Sequence, residues 1–322
     1  LRNVLQAPAT VAEQVRTALA DDHAALRELI GRADGFQCVA DPRVASHHTA
    51  NVLFNIMRGG VFPTQYTIER DDFAANLQVR NPPVYARQAS WLASLPARIG
   101  LEDLSAAASS QGDPQLSRLL MEYLPLVFSR RHGDPSRPWN HFAIRLKDEN
   151  GQRRLAYQGN WRDIFQNWEA LLLSYPAYAE NMIAKFVNAS TLDGHNPYRI
   201  SQEGIDWEEH DPEDPWSNIG YWGDHQINYL LRLLEVCARH YPERLRRRLN
   251  QRLFCYANVP YRIADFDSLL RDSKSTVSFD HDEAERIAAR CARMGQDDKL
   301  VLGAGEAVHL VGLAEKLLVP LL

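Results

Sequence analysis

Apolar positions recur three and four residues apart through most of the chain, the pattern of helices that bury one face. Val11, Val15, Leu19, Leu26, Leu29 and Ile30 mark the first helical stretch, and Gly31 and Gly35 supply breaks after it. His47–Met57 predicts a second helix, stopped at Gly59-Gly60, followed by a loop rich in proline and polar residues. Helices are expected again over Tyr85–Leu95 and Gln115–Phe128, with Pro125 near the end of the latter. Ser129 to Asn140 carries two prolines and a glycine and reads as loop.

The period then changes. His141–Asp148 and Gln152–Tyr157 flank Asn150-Gly151, a strong short-range hairpin signal. Helical spacing returns at Trp161–Tyr175, and Pro176 separates this stretch from Ala177–Asn188, which fits an antiparallel helical pair. A long loop over Ala189–Asn218 leads to a helix at Tyr221–His240, with weaker helices after Glu243, Asp282 and Gly305. No fixed-period repeat interrupts this order.

Composition narrows the class. The 322 residues are 45% hydrophobic and 24% charged, which excludes a disordered chain, and no apolar run is long enough for a membrane helix. Lys and Arg number 36 against 41 Asp and Glu, so the formal charge of 36 − 41 = −5 gives no reason to expect nucleic acid as partner. Cys38, Cys237, Cys255 and Cys291 lie far apart, form no CxxC pair, and suit reduced thiols and the cytoplasm. The first residues carry no signal-peptide pattern, and the last helical pattern lacks a cap, so both ends read as cuts in a longer protein.

Candidate chemistry concentrates in one segment. Six of the seven tryptophans fall between Trp139 and Trp222, among many carboxylates. Sugars are held by this mixture: an indole packs on the C–H face of a pyranose, while carboxylates and Arg bond its hydroxyls. A Trp-rich core beside a solvated acidic loop is the competing reading. Within the segment, Gly159-Asn160-Trp161-Arg162-Asp163-Ile164-Phe165-Gln166-Asn167 is the sharpest element. On a helix starting near Trp161, Asp163 sits in the first turn, where the helix dipole favours a carboxylate. Arg162 and Gln166 share one face, as do Asp163 and Asn167. An ordinary capped helix start is the alternative.

This stretch resembles the (α/α)6-barrel carbohydrate enzymes, nearest to the cellobiose and chitobiose phosphorylases of glycoside hydrolase family 94. In those enzymes a helix carries R-D-Q-L-Q-D, whose Arg and Asp bind the sugar before the scissile bond. Arg162, Asp163 and Gln166 match, whereas Ile164, Phe165 and Asn167 depart. A second run, Asp193-Gly194-His195-Asn196-Pro197-Tyr198-Arg199-Ile200-Ser201 followed by Tyr221-Trp222-Gly223-Asp224-His225, is similar to the His-rich loop and S-D-D of the phosphorylases, with only Asp224 carried over. The chain as a whole resembles the central part of large bacterial proteins related to these enzymes. The resemblance implies a mainly α fold in which residues 1–135 form a helical N-terminal or linker region. Residues 136–322 would then be part of an incomplete (α/α)6-barrel, with a small β-hairpin before the barrel helices. The implied substrate-binding residues are Arg162, Asp163, Gln166, Asn167 and Asp224, with Trp161, Trp207 or Trp222 as stacking faces.

The family's W-N-D-like acid motif is absent from the sequence. Trp207-Glu208-Glu209 is superficially like the Trp-Glu-Glu of glucoamylases, but it follows Arg162 by only 207 − 162 = 45 residues. Glu208 is therefore a weak candidate acid, and the general acid is expected outside this chain. Asp193 with His195, and Asp224 with His225, do not converge as metal ligands do, so neither metal nor cofactor is expected. The basic run Arg244, Arg246, Arg247 and Arg248 reads as a solvated helix face.

The expected function is part of an enzyme that hydrolyses or phosphorolyses glucosides or related oligosaccharides. Its partners would be the oligosaccharide and, for phosphorolysis, inorganic phosphate, with neither nucleic acid nor membrane. The alternative is a non-catalytic helical carbohydrate-binding or scaffold module.

Overall fold

The computed structural model describes residues 8–127, 147–151, 154–207, 211, 213, 221–222, 227–272 and 276–318. Thirteen α-helices appear among them, joined by short two- and three-stranded sheets. The mainly α expectation holds.

The N-terminal half begins with α1 (Pro8–Arg32) and α2 (Pro42–Gly59). The two-stranded sheet β1 (Thr67–Glu69) and β2 (Arg98–Gly100) then brackets α3 (Arg70–Arg80) and α4 (Pro82–Ser94). After β2 come α5 (Leu101–Ser109) and α6 (Pro114–Glu122). Three of these helices start alike: Asp41, Asn81 and Asp113 each accept a hydrogen bond from a first-turn amide, and proline follows at once. The acceptor satisfies an orphan N–H, and proline needs no partner at that position. The polar stretch read as loop after Gly60 instead contains β1 and α3, because Phe73 and Leu77 bury one face against the core while the rest stays polar.

The second half starts with β3 (Gln158–Asn160), which runs directly into α7 (Trp161–Leu171). A 3-10 turn at Pro176–Tyr178 and α8 (Ala179–Asn188) follow, as the proline break predicts. The expected long loop carries strands: β4 (His195–Asn196), β5 (Arg199–Ser201) and β6 (Gly204–Asp206), with β7 (Tyr221–Trp222) after them. Then come α9 (Ile227–His240), α10 (Pro242–Arg248), β8 (Tyr261–Ile263), α11 (Phe266–Arg271), β9 (Val277–Phe279) and α12 (His281–Met294). The last helix, α13 (Leu313–Leu318), starts later than the break at Gly305 suggests. Of the hairpin around Asn150-Gly151, the turn is present, with Gly151 at φ 79° and its amide bonded to the Asp148 carbonyl at 3.0 Å. Most of its flanks lie outside the described residues.

Helices α7, α8 and α9 pack on one another, α2 packs on α7, and α6 on α8. Gly59 makes the α2–α7 crossing possible, because a Cβ there would stand 2.9 Å from the Asn167 carbonyl oxygen. One continuous apolar cluster runs from Ala33 to Leu313, with Trp161, Trp168, Tyr123, Tyr175 and Tyr178 among its largest buried side chains. Phe62 stacks on Tyr178 at 4.0 Å and meets Tyr175 edge-on at 4.9 Å, joining the segment after α2 to the turn before α8. No helix among the described residues is long and apolar enough to cross a membrane.

Candidate functional site

The start of α7 is set by Asn160, whose side chain accepts from the Arg162 amide at 2.8 Å. The Trp161 amide, free of any helical partner at that position, donates to the Tyr198 carbonyl at 2.9 Å. These bonds tie the helix start to the second motif. β3 pairs antiparallel with β5, bringing Asn160 opposite Arg199, and β5 pairs with β6. Beside them β4 pairs with β7, His195 opposite Trp222 and Asn196 opposite Tyr221. Two stretches that lie more than thirty residues apart in sequence thus meet at one end of α7.

The predicted residues take different places in this arrangement. Arg162, Asp163 and Gln166 are half-buried, on the first turns of α7. Asn167 is buried, on the face that meets α2. Trp161 is enclosed in the core at 1% exposure, against Phe165 and Phe186, its indole N–H 3.4 Å from the Phe186 carbonyl. Trp207 is half-buried just after β6, with the Lys299 ammonium 5.4 Å over its ring and 3.3 Å from Asp206. Trp222 enters as a strand position opposite His195. Glu208 and Asp224 lie outside the described residues.

His195 is buried edge-on to Tyr261, at 5.3 Å. Burial lowers its pKa to about 4, against the pull of Asp193, so the ring is neutral at ordinary pH. Its backbone is held by Thr191, whose hydroxyl accepts from the His195 amide at 3.0 Å.

Directly behind this end of the sheets lies a group of charges that sequence reading missed. Arg80, Arg118, Glu122, Lys185 and Asp297 are all at most 4% exposed. Glu122 accepts from Arg80 at 2.6 Å, from Arg118 at 2.9 Å and from Asn188 at 2.8 Å. Asp297 accepts from Arg80 Nε at 2.9 Å, from Asn81 at 3.0 Å and from Arg118. Lys185 donates to the Ser201 and Gln202 carbonyls at 3.1 and 3.3 Å, so α8 holds the β5–β6 turn. Gly204 in that turn has φ 137°, a backbone region that glycine favours, and passes over the Arg80 guanidinium. A small cavity between Arg80, Lys185, Asn188 and Gly204 has room for about one water molecule.

Burial alone would raise the Glu122 pKa, but the Arg80 and Arg118 guanidiniums overcome it and hold the carboxyl far below the usual range. Lys185 moves the other way: burial first, and then Arg80, lower its pKa to about 7 despite Glu122 and Asp297. A signal for this cluster exists in the sequence. From Leu116 to Val127 the chain is apolar but for Ser117, Arg118 and Glu122, and the two charges, four residues apart, share one helix face amid leucines.

The two motifs thus meet at one helix mouth in a mainly helical body. Residues 62–125, from just before β1 to just after α6, match the model of glycoside hydrolase family 149 insertion domain 1. The match supports a part of a carbohydrate-active enzyme, with a carbohydrate as its class of substrate. The matching model is that of family 149, not of family 94. No curated protein matches the chain.

Proposed function

We propose that this chain supplies a sugar-binding part of an enzyme that hydrolyses or phosphorolyses glucosides or related oligosaccharides, within an (α/α)6-barrel occupying residues 136–322 and preceded by a helical region over residues 1–135. Arg162 and Asp163 bond the remote hydroxyls of the non-reducing sugar. Gln166 and Asp224 complete the subsite, and Trp207 or Trp222 offers the stacking face, while the buried Trp161 and Asn167 anchor α7 from within the core. Remote hydroxyl contacts of this kind help distort the ring toward an oxocarbenium-like transition state. The general acid comes from outside residues 1–322, so the chain alone binds without efficient turnover.

The observation that carries this reading is the pairing of Asn160 with Arg199, which brings the Arg-Asp helix and the His195 stretch to one place. The family 149 match in the neighbouring segment supports it independently. Calorimetric titration of residues 1–322 with a gluco-oligosaccharide panel tests it. Arg162→Ala and Asp163→Asn are each expected to weaken binding by about tenfold or more, the loss of a charged hydrogen bond. Unchanged binding in both variants would overturn the assignment. Robust phosphate consumption or release of reducing sugar by the chain alone would overturn the external acid.

A further inference from the structure

A cleft of about 770 Å³ lies away from α7, between α5 and α6 on one wall and α10 with residues 251–253 on the other. Four arginines line it: Arg244, Arg247, Arg248 and Arg252. Arg244, Arg247 and Arg248 of the run read from sequence as a solvated helix face border this concavity, while Arg246 is exposed and pairs with Glu243.

Its carboxylates are already neutralised. Glu102 pairs with Arg244 at 2.5 Å, and Glu180 with Arg248 at 2.8 Å and with Arg244 at 3.7 Å. Asp113 pairs with Arg87 at 3.0 Å while capping α6. Two guanidiniums remain, since among the described residues neither Arg247 nor Arg252 has a carboxylate partner. Arg252 uses only Nε, donating to the Leu310 carbonyl at 2.9 Å, so its two terminal nitrogens stay available. The cleft thus holds a net positive wall whose planar forks suit a phosphate oxygen pair.

The rest of the lining says what carries that phosphate. Hydroxyls of Ser105 and Ser117, the Gln251 amide and the spare lone pairs of Glu102 and Glu180 fit a ligand dense in hydroxyl groups. Among the described residues no aromatic ring lines the cleft, so neither a nucleobase nor a pyranose face finds a stacking surface and a sugar is held there through its hydroxyls and its phosphate. We propose that this cleft is a second binding site, separate from the α7 subsite, for a phosphorylated saccharide. Arg247 and Arg252 hold the phosphate, and the acid- and serine-bearing wall holds the sugar.

Titration calorimetry of the full chain at low salt tests it, with α-D-glucose 1-phosphate, inorganic phosphate and glucose as probes. The sugar phosphate is expected to bind about tenfold tighter than either of the others, and Arg247→Ala/Arg252→Ala to remove that advantage. Both side chains are exposed, so the double variant should melt with the parent, and Arg247→Gln alone gives a milder second reading. In an Arg162→Ala background, where the α7 subsite is weakened, the advantage of the sugar phosphate over glucose should persist, which separates the proposal from the α7 subsite. Equal affinity for phosphate alone, equal affinity for glucose, no binding of the ester, or full affinity in the double variant each overturns the site.

Discussion

Glu122→Gln is the sharpest probe of the buried charges. The substitution keeps the size of the side chain and one acceptor oxygen, but removes the negative charge that faces Arg80 at 2.6 Å and Arg118 at 2.9 Å. It also points an amide N–H₂ at groups that are themselves donors. With an effective dielectric of about 20, each pair at a charge separation of roughly 4 Å contributes about 4 kcal/mol, so about 8 kcal/mol of attraction is lost. Relief of the carboxylate's own desolvation offsets a large share, and breaking a buried pair on one side typically leaves a net loss of about 3–5 kcal/mol. Among the described residues Asp297 would remain as the only carboxylate bonded to the two arginines. For a chain of this size that loss lowers the melting temperature by on the order of 10 °C. Urea denaturation followed by circular dichroism measures it, and the double variant Glu122→Gln/Arg118→Met should lose less than the sum of the two singles by at least about 1 kcal/mol. A Glu122→Gln midpoint within about 0.5 kcal/mol of the parent, or strict additivity, would refute the view that these charges hold each other in the core.

Lys185 gives the network a pH signature. Its folded pKa of about 7 lies below the ordinary 10.5, so between these values the unfolded chain binds a proton that the folded chain does not. Stability from this group therefore rises with pH across that window, by up to about 1.4 kcal/mol per unit, and is flat below it. Lys185→Met should remove that slope in urea midpoints taken from pH 7 to 9, while Lys316, whose pKa burial also lowers to about 7, contributes equally to both proteins. Parallel pH curves for parent and variant would sink the idea. Asn160→Ala should cost about 1 kcal/mol through the lost cap on the Arg162 amide, read from urea midpoints, and no loss at all would mean the cap is not what starts α7.

Helices announced by a cap, a proline and a clear apolar stripe were legible in the sequence. Pro176 divides α7 from α8 as expected, whereas the helices expected at His47–Met57, Tyr85–Leu95 and Gln115–Phe128 open earlier, at Asp41-Pro42, Asn81-Pro82 and Asp113-Pro114. What escaped lacked such local marks. Helix α3 is mostly polar by composition because Arg80 and Asn76 point inward to partners supplied by Glu122, Asp297 and Gln202, which no local pattern reveals. Strands β4 to β6 have two or three residues each, too few for an alternation to register, and β4 and β5 also depend on pairing across longer separations. At the candidate site the helix start at Trp161 and its Arg-Asp turn were readable, whereas its closeness to Arg199 depends on strand register. Tryptophan clustering overstated the number of open indoles, since Trp161 and Trp168 both fill the core.

The matching 62–125 segment brings Arg80, Arg118 and Glu122, while Asp297, Lys185 and Asn188 come from the body around it. Leaving two guanidiniums with a single carboxylate in an apolar interior costs several kcal/mol, so this stretch resembles a plug whose socket is wired for it. Transplanted into another host, or cut out for expression alone, it would lose stability on that scale unless the receiving site offered an acid where Asp297 stands. Any swap of this module among related enzymes should therefore carry that aspartate along with it.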